Sequence, residues 1–281
     1  MCLIALAWQA HPRYRLVLAA NRDEYHARPT LPLAAWANQP QVVGGRDESK
    51  GGSWLALRGR RLAAVTNVRG GPPREGLSRG GLVADFVGGD TADSVTALDA
   101  LTPRAAAYSP FNLLLHDGQT LAFATNRPIP HAPDGAAAEF DRRILAPGIH
   151  GISNGPLDAP WPKTERLMAR LRAWIEASSV DSSSTTASSA AASTHRPDLT
   201  PLFEALADPT PMPDRHLPDT GVGLERERFL SPAFIAHANY GTRASTVVLI
   251  ADDHAHIVER RFGPEAMFLG ETAISLAPTG G

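Results

Sequence analysis

The chain has one cysteine, Cys2, in 281 residues. A lone thiol cannot close an internal disulfide, so no redox compartment is implied. No run of about 18 apolar residues occurs, so no membrane span is expected. The apolar stretch 3–8 is too short for the core of a secretory signal, and His11, Arg13 and Arg15 follow it. Charge of one sign is lacking as well. The 27 Lys and Arg residues against 29 Asp and Glu leave a net charge of −2, and no basic run appears. A nucleic-acid partner is therefore unsupported. No period of 20–50 residues repeats. The ten histidines are scattered without metal spacing, and His254 and His256 fall in a turn and a strand, so no metal site is expected. What is present is globular: 43% hydrophobic and 20% charged residues, enough for a sizeable core. The expectation is a cytoplasmic protein with one domain over residues 1–281 and an oligomeric state the sequence leaves open.

The hydrophobic pattern is mixed. Cys2–Trp8 reads as a strand apolar on both faces, as expected inside layers of helix and sheet. Tyr14–Ala20 reads as its hairpin partner around a turn near His11. That pairing sets residue 2 opposite roughly residue 20 and brings Asn21-Arg22-Asp23-Glu24 beside the amino terminus. Arg28–Pro40 is read as loop, anchored by Trp36. Gly44–Asp47 and Gly51–Trp54 bracket a Gly-rich turn. A strand-like Ser53–Leu57 follows that turn, not a helix, so it does not cradle phosphate. Strand Leu62–Thr66 ends in Asn67. Arg79–Val87 and Thr91–Leu101 read as helices. Phe111–His116 and Thr120–Thr125 form a hairpin over Asp117-Gly118. Ile149–Ser153 is a strand ending in Asn154. Pro162 to about Ala177 is a helix with an apolar stripe at Leu167, Met168, Leu171, Trp174 and Ile175. The Ser/Ala/Thr tract 178–194 is expected to be a flexible surface insertion. Leu199–Ala207 is a short helix, and Ala244–Ala251 pairs with His256–Phe262.

Cys2 is where chemistry can concentrate. Initiator methionine is normally trimmed before a small residue. The chain would then begin with a thiol and an α-amine on one residue. An α-amine titrates near 7.7–8.0, and a thiol near 8.5 is already partly thiolate and strongly nucleophilic. Nucleophile and base thus coincide. A small buried hydrophobe is the bland alternative. For Asn21–Glu24 the alternatives are a charge cluster that serves the amino terminus and a solvated turn with a surface ion pair.

Met1-Cys2-Leu3-Ile4, Asn21-Arg22-Asp23-Glu24, Gly45-Arg46-Asp47, Gly52-Ser53-Trp54, Thr66-Asn67-Val68-Arg69, Gly151-Ile152-Ser153-Asn154, Pro160-Trp161-Pro162-Lys163 and Tyr240-Gly241-Thr242-Arg243 occur in this order. Together they resemble the NRDE family, the transport and Golgi organisation protein 2-like group of the Ntn-hydrolase superfamily. The resemblance runs from residue 2 to about 262. It implies an α+β fold: a four-layer αββα sandwich of mainly antiparallel sheets with Cys2 at its centre. More distantly the chain is similar to the choloylglycine and penicillin-acylase group of cysteine hydrolases. In that group Arg and Asp follow the second strand with a gap between them, whereas Arg22 and Asp23 are adjacent.

The resemblance implies a cysteine Ntn hydrolase that cleaves a linear, non-peptide amide C–N bond in a small amide or acylated substrate, without a cofactor. Cys2, Arg22, Asp23, Asn67, Asn154 and Arg243 are the implied catalytic set. Asn21, Glu24, Trp54, Arg69 and Tyr240 are the implied substrate contacts. Two alternatives stand beside it. One is a carrier or chaperone for haem or an acylated lipid on a retired hydrolase fold, although no Cys-x-x-Cys-His haem motif is present. The other is a glutaminase of the glutamine-amidotransferase type, whose Met-Cys-Gly-Ile start has Leu3 in place of glycine here.

Overall fold

The computed structural model describes residues 2–70, 75–91, 93–127, 140–183 and 197–277. Two antiparallel sheets form the body. The first has six strands: β1 (Cys2–Trp8), β2 (Leu16–Tyr25), β10 (Gly148–Ile152), β11 (Tyr240–Ile250), β12 (Ala255–Phe262) and β13 (Phe268–Leu276), in the order β10-β1-β2-β11-β12-β13. The second has seven in sequence order: β3 (Thr30–Trp36), β4 (Gln39–Asp47), β5 (Leu55–Arg58), β6 (Arg61–Asn67), β7 (Phe111–His116), β8 (Leu121–Thr125) and β9 (Asp141–Ile144).

Strand alternation builds the layers. Ile4, Leu6 and Trp8 of β1 and Leu16, Leu18 and Ala20 of β2 meet Leu55, Leu57, Leu62, Leu114 and Phe123 of the second sheet in a central core. The intervening Leu3, Ala5, Ala7, Val17 and Ala19 face outward and pack under Leu167, Leu171 and Trp174 of α3 (Pro162–Ser183) and Phe203 of α4 (Thr200–Leu206). The outer face of the second sheet, with Ala56, Ala63, Leu113 and Leu115, is covered by Val83 and Phe86 of α1 (Gly80–Gly88) and by Leu98 and Leu101 of α2 (Ser94–Leu101). Asp93 caps α2, its carboxylate accepting from Thr96 N at 2.8 Å. This is the αββα sandwich that the resemblance implied.

Several boundaries differ from the sequence reading. β2 does not end at Ala20 but runs on through Asn21–Tyr25, and the register pairs Cys2 with Arg22. The segment 29–40 is a strand pair, β3 and the start of β4, not a loop. Pro32 and two register shifts hid its alternation, and Trp36 does anchor it, its indole Nε1 donating to Gly44 O at 3.1 Å. Residues 178–183 of the Ser/Ala/Thr tract continue α3 instead of leaving it, and 184–194 lie outside the described residues. The hydroxyls of Ser178 and Ser179 donate back to carbonyls of the preceding turn, so they stay satisfied within the helix. Strands β9 and β13 and the short helix α5 (Leu224–Phe229) carried no clear period.

At the end of the sandwich remote from Cys2, His116 is fully buried and packs edge-on to Trp8, ring centroids 5.2 Å apart. Its Nδ1–H donates to Arg60 O at 2.9 Å. Burial lowers its pKa from 6.5 to about 4, so the folded state holds it neutral. A folded-state value below the unfolded one gives stability that is complete above pH 6.5 and is lost as pH falls toward 4. At about 1.4 kcal/mol per unit, the window is worth about 3 kcal/mol. Urea unfolding of wild type should therefore weaken on acidification through this window, and His116→Gln should weaken less. Parallel pH dependences in the two proteins would show that His116 does not set it.

Candidate functional site

Polar residues collect at the end of the sandwich where β1 begins and β2 ends. By register Cys2 lies opposite Arg22, Arg22 opposite Ala244, and Asp23 opposite Thr242, with Arg243 bulged out between the last two. Alternation along β2 sends Arg22 toward the other sheet and sends Asn21 and Asp23 toward the helices. An open cleft of about 500 Å³ lies here, lined by Arg22, Asp23, Lys50, Trp54, Asn67 and Arg79 among others.

Each side chain is held by neighbours. The Arg22 guanidinium sits 4.2 Å from the centroid of the Trp54 ring, and its Nη2 is 3.9 Å from Glu24. Gly45 is what lets Trp54 lie there, because a Cβ at position 45 would come within 2.1 Å of the ring. Glu24 also faces Arg28 at 3.8 Å. Arg28 in turn donates to Asp47 at 2.6 Å, linking the end of β2 to β4. Burial pushes the Asp47 carboxyl up, but the Arg28 hydrogen bond and charge outweigh it and hold it below the usual range.

Asp23 is buried, and its Oδ1 accepts from Thr242 Oγ1 at 2.7 Å. Burial raises its pKa, while Lys163, Thr242 and Arg22 oppose the rise. Lys163 is itself buried and donates to Leu230 O at 2.7 Å.

Asn154 and Asn67 come from different sheets and meet. Asn154 is fully buried, and its Nδ2 donates to Asn67 O at 2.8 Å. Its own carbonyl accepts from Arg69 N at 2.7 Å. Beside them Thr66 Oγ1 donates to Ser153 O at 2.8 Å, and Asn112 Nδ2 donates to Gly155 O at 2.8 Å. These bonds lace the two sheets together where β6 and β10 end.

The implied residues thus share one end of the sandwich, but not all of them reach the cleft. Arg22, Asp23, Glu24, Trp54 and Asn67 line it. Arg243 is held by the carbonyls of Tyr25 and Arg28 and lines a neighbouring cavity. Asn21 turns to the helical side. Its amide donates to Ala233 O and to Leu206 O, a free carbonyl at the end of α4, at 2.8 Å each, and its Oδ1 accepts from Ser245. Arg69 is paired with the buried Glu227 at 3.1 Å and lies 5.5 Å from the Trp161 ring centroid. Tyr240 donates to Asp23 O at 3.4 Å, with its ring edge-on to Tyr25.

Lys163 and Thr242 stand in quoted motifs but, like Glu259, were given no role from the sequence, although two carried a signal. Lys163 is a cation in the first turn of a helix, where the dipole disfavours it. Glu259 is an acid directly after the apolar pair Ile257-Val258 in a strand, and its buried carboxylate accepts from Leu33 N at 2.8 Å. Among the described residues no group of three or more His, Cys, Asp or Glu could hold a metal ion. No helix among them is long and apolar enough to cross a membrane.

Comparison with known proteins covers nearly the whole chain. A family model described as Transport and Golgi organisation 2 matches residues 1–264. The Transport and Golgi organization protein 2 homolog of Bos taurus is 30% identical over 282 residues, 92% of this chain and 92% of that protein. Its Homo sapiens counterpart is 29% identical with the same coverage of both chains. The Drosophila melanogaster protein is 37% identical over 129 residues, 41% of this chain and 45% of that one.

The Asn154 tie can be tested through stability. Asn154→Ala removes the donor to Asn67 O inside a buried site, and the expected loss is about 1–3 kcal/mol, read as a lower urea midpoint at unchanged slope. An unchanged midpoint would mean that water or a neighbour satisfies the Asn67 carbonyl.

Proposed function

The chain belongs to the transport and Golgi organisation 2 family, and we propose that its polar cleft is the active site of a cysteine hydrolase for a linear, non-peptide amide C–N bond. One observation carries the reading: Cys2 is in register with Arg22, and Arg22, Asp23 and Asn67 line the adjoining cleft.

Removal of Met1 frees the Cys2 amine. The Cys2 thiolate attacks the amide carbonyl, a C–S bond forms, and the carbonyl electron pair moves to oxygen. The Asn67 side chain and a backbone N–H stabilise that oxyanion. The Cys2 amine takes the thiol proton and delivers it to the leaving nitrogen as the C–N bond breaks, releasing an amine and leaving a thioester. Water attacks the thioester with the same amine as base, the C–S bond breaks, and the carboxylic acid departs. The charge of Arg22 favours the thiolate, and Asp23 orients the amine. Asn154 acts at one remove by holding Asn67, and Arg243 by adding its charge beside Arg22. Loss of the Asn67 donor is expected to cost about 10²–10³ in rate.

A carrier for haem or an acylated molecule on the same fold is the second reading, favoured by the exposed Leu31, Met267, Phe268 and Leu269. A haem Soret band that survives Cys2→Ala would support it.

The hydrolase reading requires a free amine at position 2. A short, uncleavable extension before Cys2 should abolish turnover of an acyl-amide substrate while the melting temperature is unchanged. Cys2→Ala should abolish turnover too, and Cys2→Ser should keep a little. Full turnover by the extended protein, confirmed uncleaved by mass, would defeat the amine-relay mechanism even if Cys2 remained essential.

A further inference from the structure

One row of directly paired residues crosses the first sheet: Cys2, Arg22, Ala244, Arg261 and Gly270. Paired residues share a face, so Arg22 and Arg261 flank the methyl group of Ala244. The small residue between two long ones leaves a cavity of about 110 Å³, closed from the second sheet by Trp54 and by Thr30, Leu31 and Pro32. Arg243, displaced by the bulge, adds a third guanidinium to its wall.

The charges of the wall do not balance: three guanidinium groups face one carboxylate, and Glu24, 3.9 Å from Arg22, lies outside the wall. Guanidinium groups stay protonated. Arg243 is drawn below its ordinary value by burial and by the charge of Arg22. The one acid in the wall, Glu259, has its carboxyl pushed up by burial and already accepts from Leu33 N. Arg261 Nε is buried and makes no hydrogen bond among the described residues. Gly270, at φ +123°, faces the Arg261 guanidinium, whose Nη2 would lie 2.9 Å from a Cβ built there. Three cations gathered around a small, partly desolvated space are stabilised by an anion that fills it.

We propose that this cavity binds the anionic group, a carboxylate or a phosphate, of the small molecule on which the cleft acts. Its volume suits such a group with at most a few waters. Arg22 and Trp54 line both the cavity and the cleft, so an anion held here tethers the rest of the molecule beside position 2. The tethering role rests on the hydrolase reading; the anion site itself does not.

The test is therefore made without turnover, in the Cys2→Ala protein. Inorganic phosphate and acetate are titrated separately by calorimetry and thermal melting, with chloride at matched ionic strength as the control. At least one of the two should bind and raise the melting temperature above the chloride control; which one does so identifies the group. Arg261→Gln should weaken that binding about tenfold or more, the scale of one charge-assisted hydrogen bond. Ala244→Val, which fills the space with all charges intact, should weaken it likewise. The change on adding anion is read within each variant, so a variant's lower starting stability does not obscure it. Shifts no larger than those with chloride, or shifts that persist in both variants, would overturn the proposal. Anion binding that survives while no amide is ever hydrolysed would sink the hydrolase reading and leave the site standing.

Discussion

An antiparallel strand must send successive side chains to opposite faces, and β2 does so straight through its polar end. Asn21 goes to the helical side and closes the end of α4. Arg22 goes between the sheets, onto the Trp54 ring. Asp23 goes back toward the helices, to Thr242 and the field of Lys163. This alternation divides Asn21, Arg22 and Asp23 between the two faces of the sheet. It also fixes Cys2, because β1 takes its register from β2. A slip of one residue would put Arg22 among the helices and Asn21 in the core.

Buried polar groups cost free energy unless they are satisfied, and this end of the molecule satisfies many of them across the sheet gap. Asn154, Thr66 and Asn112 donate between strand ends of different sheets, and the Glu24–Arg28–Asp47 chain of charges links β2 to β4. The cleft is therefore walled by groups whose positions are fixed by their partners, the kind of preorganisation that electrostatic catalysis requires. At the opposite end the buried His116 packs against Trp8 and donates to Arg60 O.

Much of this was legible in the sequence, for definite reasons. β1 was readable because its two faces are both apolar, and the hairpin Phe111–Thr125 because Asp117-Gly118 punctuates it. The gathering of Arg22, Asn67 and Asn154 at one end was expected from the resemblance, with Asn67 and Asn154 each read at the end of a strand. β2 was read too short because Asn-Arg-Asp-Glu looks like a turn, and pairing with β1 and β11 shows it as strand. β3 was missed because an edge strand with proline and two irregularities keeps no period. The engagement of Asn21 by α4 and of Arg69 by Glu227 depends on residues more than 150 positions away, which no local pattern encodes. The burial of Lys163 is hidden for a related reason: the sequence shows a charged residue starting a helix, and only packing shows it buried.

The central claim is that position 2 is the nucleophile. It is tested most directly by intact mass after the processed protein meets a panel of acyl amides and is quenched in acid. The account predicts loss of the Met1 mass and a gain equal to one acyl group, released by hydroxylamine as a thioester and mapped to the peptide that begins at Cys2. Met1 removed and no adduct with any amide, or an adduct mapped to any other residue, would contradict it.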